Sequence, residues 1–133
     1  MTLRLGIVQI NVTDLEKARD FYVNILGMKA KESLGPNRPF ELEIEGSPTV
    51  LIYPAKRFVP SDYPNQTGVV LVFYTDDIKR TMREWADKGV FFVKIAWSKD
   101  ESGIAESPFG PFIAFRDPFG NVHELLQPWR VGA

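Results

Sequence analysis

The chain contains no cysteine and only one histidine, His123. The first absence excludes disulfides, zinc knuckles and thiol nucleophiles together, and makes a cytoplasmic setting the default. The second means that one chain cannot build a site needing two imidazoles. No apolar run approaches the ~20 residues that span a bilayer, so a membrane is not an expected partner. The opening residues, Met1 to Gly6, lack a charged stretch followed by a long apolar one, so no signal peptide is expected. Charge of one sign is missing too. Sixteen basic and 17 acidic residues leave a net −1, and without a basic footprint nucleic acid is not an expected partner. The chain has no G-x-S-x-G elbow for a serine nucleophile and no G-x-G-x-x-G or Walker-type loop for a nucleotide. What is left is an ordinary globular composition: 133 residues, 44% hydrophobic and 25% charged, enough for one domain with a real core.

What the chain does have is an internal repeat. The stretches 7–28 and 70–90 read as two versions of one unit: a strand, an acidic cap, an amphipathic helix and a glycine. Asp14 matches Asp77, Leu15 matches Ile78, and Tyr22 matches Trp85; Gly27 matches Gly89 after one deletion. Two similar half-domains predict a cleft between them as the place where function sits.

The walk along the chain supports this. Over 4–12, Val8, Ile10 and Val12 share one face, suited to a helix, and Ile7, Gln9 and Asn11 the other, suited to a cleft wall. Thr13-Asp14-Leu15-Glu16 has the form of a capping box with Thr13 as the cap. Leu15, Ala18, Tyr22, Ile25 and Leu26 recur at helical spacing up to Gly27, which predicts a helix over about 14–26. Strands are predicted over 28–34, 40–45 and 49–53, with Gly35-Pro36-Asn37 a turn. Residues 54–67, with three prolines, form the longest irregular stretch: an active-site cover, an arm to a partner chain, or a plain connection. The second half repeats the order. A strand over 69–75 leads to a helix capped by Asp76 or Asp77, with Ile78, Met82, Trp85 and Ala86 on its buried side. Strands follow over 90–97, 112–116 and 122–127, the last two joined by the turn Asp117-Pro118-Phe119-Gly120-Asn121. The fold class is α+β: strand–helix–strand–strand–strand, twice, over about 1–57 and 68–130.

These residues resemble the vicinal oxygen chelate superfamily, which includes the glyoxalases, bleomycin-resistance proteins and extradiol dioxygenases. The resemblance is carried by residues 12–18, by Phe21-Tyr22-Val23-Asn24-Ile25-Leu26-Gly27-Met28, by Asp76-Asp77-Ile78 and Lys88-Gly89-Val90, and by Phe115-Arg116-Asp117-Pro118-Phe119-Gly120-Asn121-Val122-His123-Glu124-Leu125. It implies two βαβββ modules forming a curved mixed sheet around a cleft, helices on the convex face, and a homodimer. It also implies four metal ligands in the metal-dependent members. Carried onto this chain, those positions fall on Ile7, Val70, Leu51 and Glu124. Three hydrocarbon side chains and one carboxylate do not make the three or four N, O or S donors a catalytic divalent ion requires. With Gln9 as reserve the count is still only an amide and a carboxylate.

Glu124 therefore carries two readings. In one it binds a cationic or hydrogen-bonding ligand group, or acts as a catalytic base; in the other it pairs with Arg116 or another basic side chain and is structural. His123 points to the opposite sheet face and reads as a packed histidine at the helix–sheet boundary rather than a proton shuttle. Glu41, Glu43 and Glu45 lie about 7 Å apart along one strand, too far for one small ion, and read as a solvated face. Tyr53, Tyr74 and Trp97 are the aromatics placed near the cleft. The expected ligand-binding set is Ile7, Gln9, Asn11, Leu51, Tyr53, Val70, Val72, Tyr74, Trp97 and Glu124, with Phe109-Gly110-Pro111 and 54–67 as lid candidates. The function expected is metal-free binding of a small apolar or aromatic molecule. The alternative is a lyase, isomerase or dioxygenase using Zn, Ni, Mn or Fe. A metal-independent enzyme with Glu124 as base, and Gln9, Asn11 or Tyr74 on an oxyanion, lies between them.

Overall fold

A computed structural model describes residues 3–31, 37–57, 60–65 and 68–129. The chain divides into two units, 1–59 and 60–133. In the first, β1 (Ile7–Val12) leads to α1 (Leu15–Arg19), which runs on as a π-helical stretch over Asp20–Ile25; β2 (Lys29–Lys31), β3 (Phe40–Glu43) and β4 (Thr49–Pro54) follow. In the second, β5 (Val72–Tyr74), α2 (Ile78–Asp87), β6 (Phe91–Val93), β7 (Phe112–Arg116) and β8 (Val122–Leu126) repeat the order. Each unit folds as one four-stranded mixed sheet. The strand orders are β1-β4-β3-β2 and β5-β8-β7-β6, with the first pair parallel and the other two antiparallel. The repeat read from the sequence is thus a repeat of topology.

The helix caps differ from the sequence reading at one point. Asp14, not Thr13, is the N-cap of α1: its extended backbone turns the carboxylate onto the Lys17 amide at 3.0 Å. Asp77 does the same for α2, accepting from the Arg80 amide at 3.1 Å. The aligned aspartates are therefore aligned caps. The single deletion in the repeat has a physical counterpart as well. From cap to Tyr22 or Trp85 the two helices count alike, but Gly27 lies one residue further on than Gly89 does. In α1 the extra residue is taken up by the π turn, where the Leu26 amide reaches the Phe21 carbonyl at 2.9 Å. The amide after each glycine then lands on the equivalent carbonyl: Met28 on Tyr22 at 3.0 Å, Val90 on Trp85 at 3.1 Å. Gly27 (φ 83°) and Gly89 (φ 90°) supply the left-handed stop.

Several boundaries also move. The strands expected over 69–75 and 90–97 shrink to β5 and β6; after β6 the chain turns away at Ile95 to bond Gly103. The strand expected over 28–34 is described as β2; residues 32–36, including Gly35 and Pro36 of the expected turn, lie outside the described residues. Ala86 is exposed rather than buried, since α2 turns only Ile78 and Trp85 fully inward. The segment expected to join the modules is split, and 60–65 belongs to the second unit. There the Ser61 amide bonds the Gly120 carbonyl at 3.2 Å and the Arg116 guanidinium donates to the Ser61 carbonyl at 3.1 Å.

In the first unit Ile10, Val12, Ala18, Phe21, Tyr22, Leu26, Phe40, Leu42, Val50 and Ile52 are buried. They follow period two on the strands and helical spacing on α1. In the second unit the α2 side of the sheet holds Phe115, packed on Trp85 with ring centres 5.1 Å apart, and His123, which lies 5.5 Å from both Phe73 and Phe115. The other side holds Phe112, Ala114, Val122 and Leu126 under Ile95 and Ala105. The 117–121 turn is held by Asp117, which is buried and accepts from the Phe119 and Asn121 amides at 2.9 Å and from the Asn121 side chain at 2.7 Å.

His123 is where pH should be felt. Burial pushes its pKa down to about 4, against a smaller upward pull from Asp117. The unfolded chain binds a proton near the ordinary value of about 6.5, so between that pH and about 4 the unfolded state holds more protons than the folded one. Stability is expected to be full above about pH 6.5 and to fall by a few kcal/mol as pH drops toward 4. Urea midpoints measured across that range check this, and His123→Phe should flatten the dependence.

Candidate binding site

β8 is the middle of the site. It pairs with β5 on one side (Val72 with Glu124, Tyr74 with Leu126) and with β7 on the other (Ala114 with Glu124, Phe112 with Leu126). Paired residues share a face. Val72, Tyr74, Phe112, Glu124 and Leu126 therefore converge on the side of the sheet away from α2. Together with Tyr63, Trp97, Ser107 and Phe109 they line a hollow of about 450 Å³.

Three aromatic walls of this hollow are left uncovered: Tyr74 is 72% exposed, Phe109 71% and Trp97 59%. Each is nonetheless anchored or carried on a firm element. Trp97 donates its ring N–H to the Glu106 carbonyl at 3.1 Å and stands 5.8 Å from Phe112. Phe109 sits on a turn in which the Ser107 hydroxyl donates to the Gly110 carbonyl at 2.8 Å. That turn is tied to the chain after β8: the Trp129 amide bonds the Phe109 carbonyl and the Trp129 ring N–H the Ser107 carbonyl. The 109–111 turn, a lid candidate from sequence, is thus pinned as a wall. Trp129 is used within its own unit.

The polar centre is Glu124. The Tyr63 hydroxyl donates to its Oε2 at 2.6 Å. Tyr63 comes from the proline-containing segment 60–65, which sequence reasoning treated as a lid, an arm or a connection and never as a source of a site residue. Its only sequence signal was a tyrosine between Asp62 and Pro64. The phenol is pushed well above the ordinary tyrosine value, first by burial, then by its hydrogen bond to Glu124 and by that carboxylate's charge. It therefore stays a donor at any physiological pH. Arg116 does not pair with Glu124: it is spent on the Ser61 carbonyl, and among the described residues no basic group lies within ion-pair distance of Glu124.

The other sequence-derived positions separate by unit. Val72, Tyr74, Trp97 and Glu124 line the hollow; Val70 lies before β5, partly buried, and does not. In the first unit Ile7, Gln9 and Asn11 pair in register with Thr49, Leu51 and Tyr53. The structure thus brings Ile7, Gln9, Asn11, Leu51 and Tyr53 onto one face, where Ile7 is 60% exposed and the Gln9 amide donates to Asn11 Oδ1 at 2.8 Å. His123, one residue from Glu124, faces the α2 side and takes no part.

A resident divalent ion does not fit these residues. The hollow offers one carboxylate, one of whose oxygens already accepts from a phenol, among hydrocarbon and aromatic walls. Among the described residues no three of His, Cys, Asp and Glu come together.

Residues 4–125 match the family model described as the Glyoxalase/Bleomycin resistance protein/Dioxygenase superfamily. Among solved structures, one of a superfamily member from Sphaerobacter thermophilus DSM 20745 is 28% identical with a TM-score of 0.66, covering 95% of this chain and 98% of that one. TnmS3, an antibiotic binding protein from Streptomyces sp. CB03234, is 22% identical with a TM-score of 0.67, covering 96% and 98%. A putative glyoxalase family protein from Bacillus anthracis is 19% identical with a TM-score of 0.71, covering 96% and 97%. No curated protein matches.

Tyr63→Phe is expected to cost about 1 kcal/mol, a charge-assisted hydrogen bond discounted for partial exposure. It should also remove no phenolate absorbance below about pH 11, since Tyr63 is held protonated there while an ordinary tyrosine ionises near 10. Alkaline difference spectra of the two proteins check this; a lost phenolate signal near pH 10 would show that the phenol is not held by Glu124. Gly110→Ala should be more damaging. With φ 144° and the Gln127 carbonyl 2.0 Å from an added Cβ, backbone must shift, at about 2–4 kcal/mol by denaturant titration.

Proposed function

The chain belongs to the Glyoxalase/Bleomycin resistance protein/Dioxygenase superfamily, and from that premise we propose that it binds a small apolar or aromatic organic molecule in the hollow of its second unit, without a metal. One observation carries the reading: a hollow of about 450 Å³ walled by Tyr74, Trp97, Phe109 and Phe112 that, among the described residues, holds a single carboxylate. Concave sites with mostly apolar linings and few, well-placed polar groups are what small ligands occupy. The anchored walls support binding, since a preformed pocket loses little ordering entropy when a ligand enters. TnmS3, a structural relative, is an antibiotic binding protein; that likeness supports the fold, and the binding role is brought to this chain as part of the proposal. Glu124 would orient the ligand through its free oxygen, with Tyr63 holding the carboxylate in place.

A cytoplasmic, homodimeric protein completes the proposal. Among the described residues no helix is long and apolar enough to cross a membrane. Sedimentation should give twice the chain mass of 15.1 kDa.

A thermal-shift screen with aromatic and polycyclic compounds tests the reading, read beside elemental analysis of the purified protein. A compound at 100 times its dissociation constant should add about 2.7 kcal/mol to stability, and Trp97→Ala should abolish the shift. Stoichiometric Ni, Zn, Mn or Fe together with turnover of a hemithioacetal or catechol would overturn it.

A further inference from the structure

We infer that the hollow of the second unit selects an organic cation: a protonated primary or secondary amine carried on an apolar or aromatic body. This rests on the binding reading above and names the class of ligand for the same site.

The charge inventory is the first argument. Among the described residues the lining holds one carboxylate and no lysine, arginine or histidine. Arg116, on the neighbouring strand, is spent on the Ser61 carbonyl and is absent from the lining. An anion placed here meets only like charge. A neutral molecule leaves the carboxylate without a matching charge in a partly desolvated place. A cation satisfies it.

The second argument is the geometry of Glu124. Its Oε2 accepts from the Tyr63 hydroxyl at 2.6 Å, and Oε1 has no protein donor among the described residues. The phenol thus occupies one oxygen of a carboxylate that lines the hollow, and the other is left for a ligand. An ammonium N–H donates to that oxygen. The proton stays on the amine, and no bond is made or broken.

The third argument is the wall chemistry. Tyr74, Trp97 and Phe109 keep large exposed areas around the carboxylate. Aromatic faces carry negative charge density at their centres and attract cations, Trp most strongly. The same walls take up the apolar body, so one hollow serves both halves of an arylalkylamine.

The test uses three probes of one shape: naphthylmethylamine, naphthylmethanol and naphthoate. They are titrated by calorimetry near pH 7 into the full chain and its Glu124→Gln, Tyr63→Phe and Trp97→Ala variants. The amine is expected to bind about tenfold or more tightly than the alcohol, and naphthoate most weakly. Glu124→Gln should bring the amine down to the alcohol's affinity. Tyr63→Phe should reduce the amine's advantage without abolishing it. Added salt should weaken the amine and spare the alcohol, a readout on the unaltered chain that holds even if Glu124→Gln fails to fold. Equal affinity for amine and alcohol, or an amine preference that survives Glu124→Gln, overturns the cation inference and leaves the binding reading standing. Failure of all three probes to bind, or binding indifferent to Trp97→Ala, overturns both.

Discussion

The pleat of β8 is the constraint on which the second unit depends. Successive side chains on a strand point to opposite faces, so the adjacent pair His123 and Glu124 is divided between two environments. His123 is driven into the aromatic layer with Phe73 and Phe115 beneath α2, where burial keeps it neutral. Glu124 is turned to the other side, beside Leu126, where a phenol meets it. A slip of one residue in the pairing with β5 and β7 would exchange the two. It would put a carboxylate among Phe73, Phe115 and Trp85 without a partner, at several kcal/mol. The register is therefore set by the same preference that makes the site.

The two units show how one plan tolerates different content. Both cap the helix with an aspartate on the N3 amide, both end it at a left-handed glycine, and both order their strands alike. The π turn of α1 absorbs one additional residue without moving the hydrogen bond that follows the glycine. Such a bulge is a local answer to an insertion, because the helix outside it keeps its phase. The units diverge on the other sheet face. The first presents Ile7, Gln9, Asn11, Leu51 and Tyr53; the second adds the 95–112 segment and Tyr63, and so builds walls around its strands.

Those walls are what separate a surface from a site. The ring N–H groups of Trp97 and Trp129 donate to the Glu106 and Ser107 carbonyls, and the Trp129 amide donates to the Phe109 carbonyl, so hydrogen bonds to the backbone tie the aromatic rim in place. Solved structures of the same fold include a putative glyoxalase family protein and an antibiotic binding protein. The fold is common property, and what a given chain does rests on the side chains it adds to that fold. Here those side chains present one acid, one phenol held on it, and aromatic rings.

The α+β class, the doubled strand–helix–strand–strand–strand order, the Asp117 turn and the face of β8 on which Glu124 stands were legible before any folding was known. Each follows from local periodicity, capping or turn chemistry, which act over a few residues and leave a written pattern. Some local features were still misread, since Thr13 and Asp14 are both competent caps and only the backbone geometry chose between them. What the tertiary structure decided is the partnership across 61 positions: Tyr63 on Glu124, and Arg116 drawn away to Ser61. No periodicity reports such a contact, because a loop residue has no face until the sheet it crosses has formed. The pinning of the 109–111 turn under Trp129 is of the same kind. Its hydrogen bonds join segments that meet only when β7 and β8 pair.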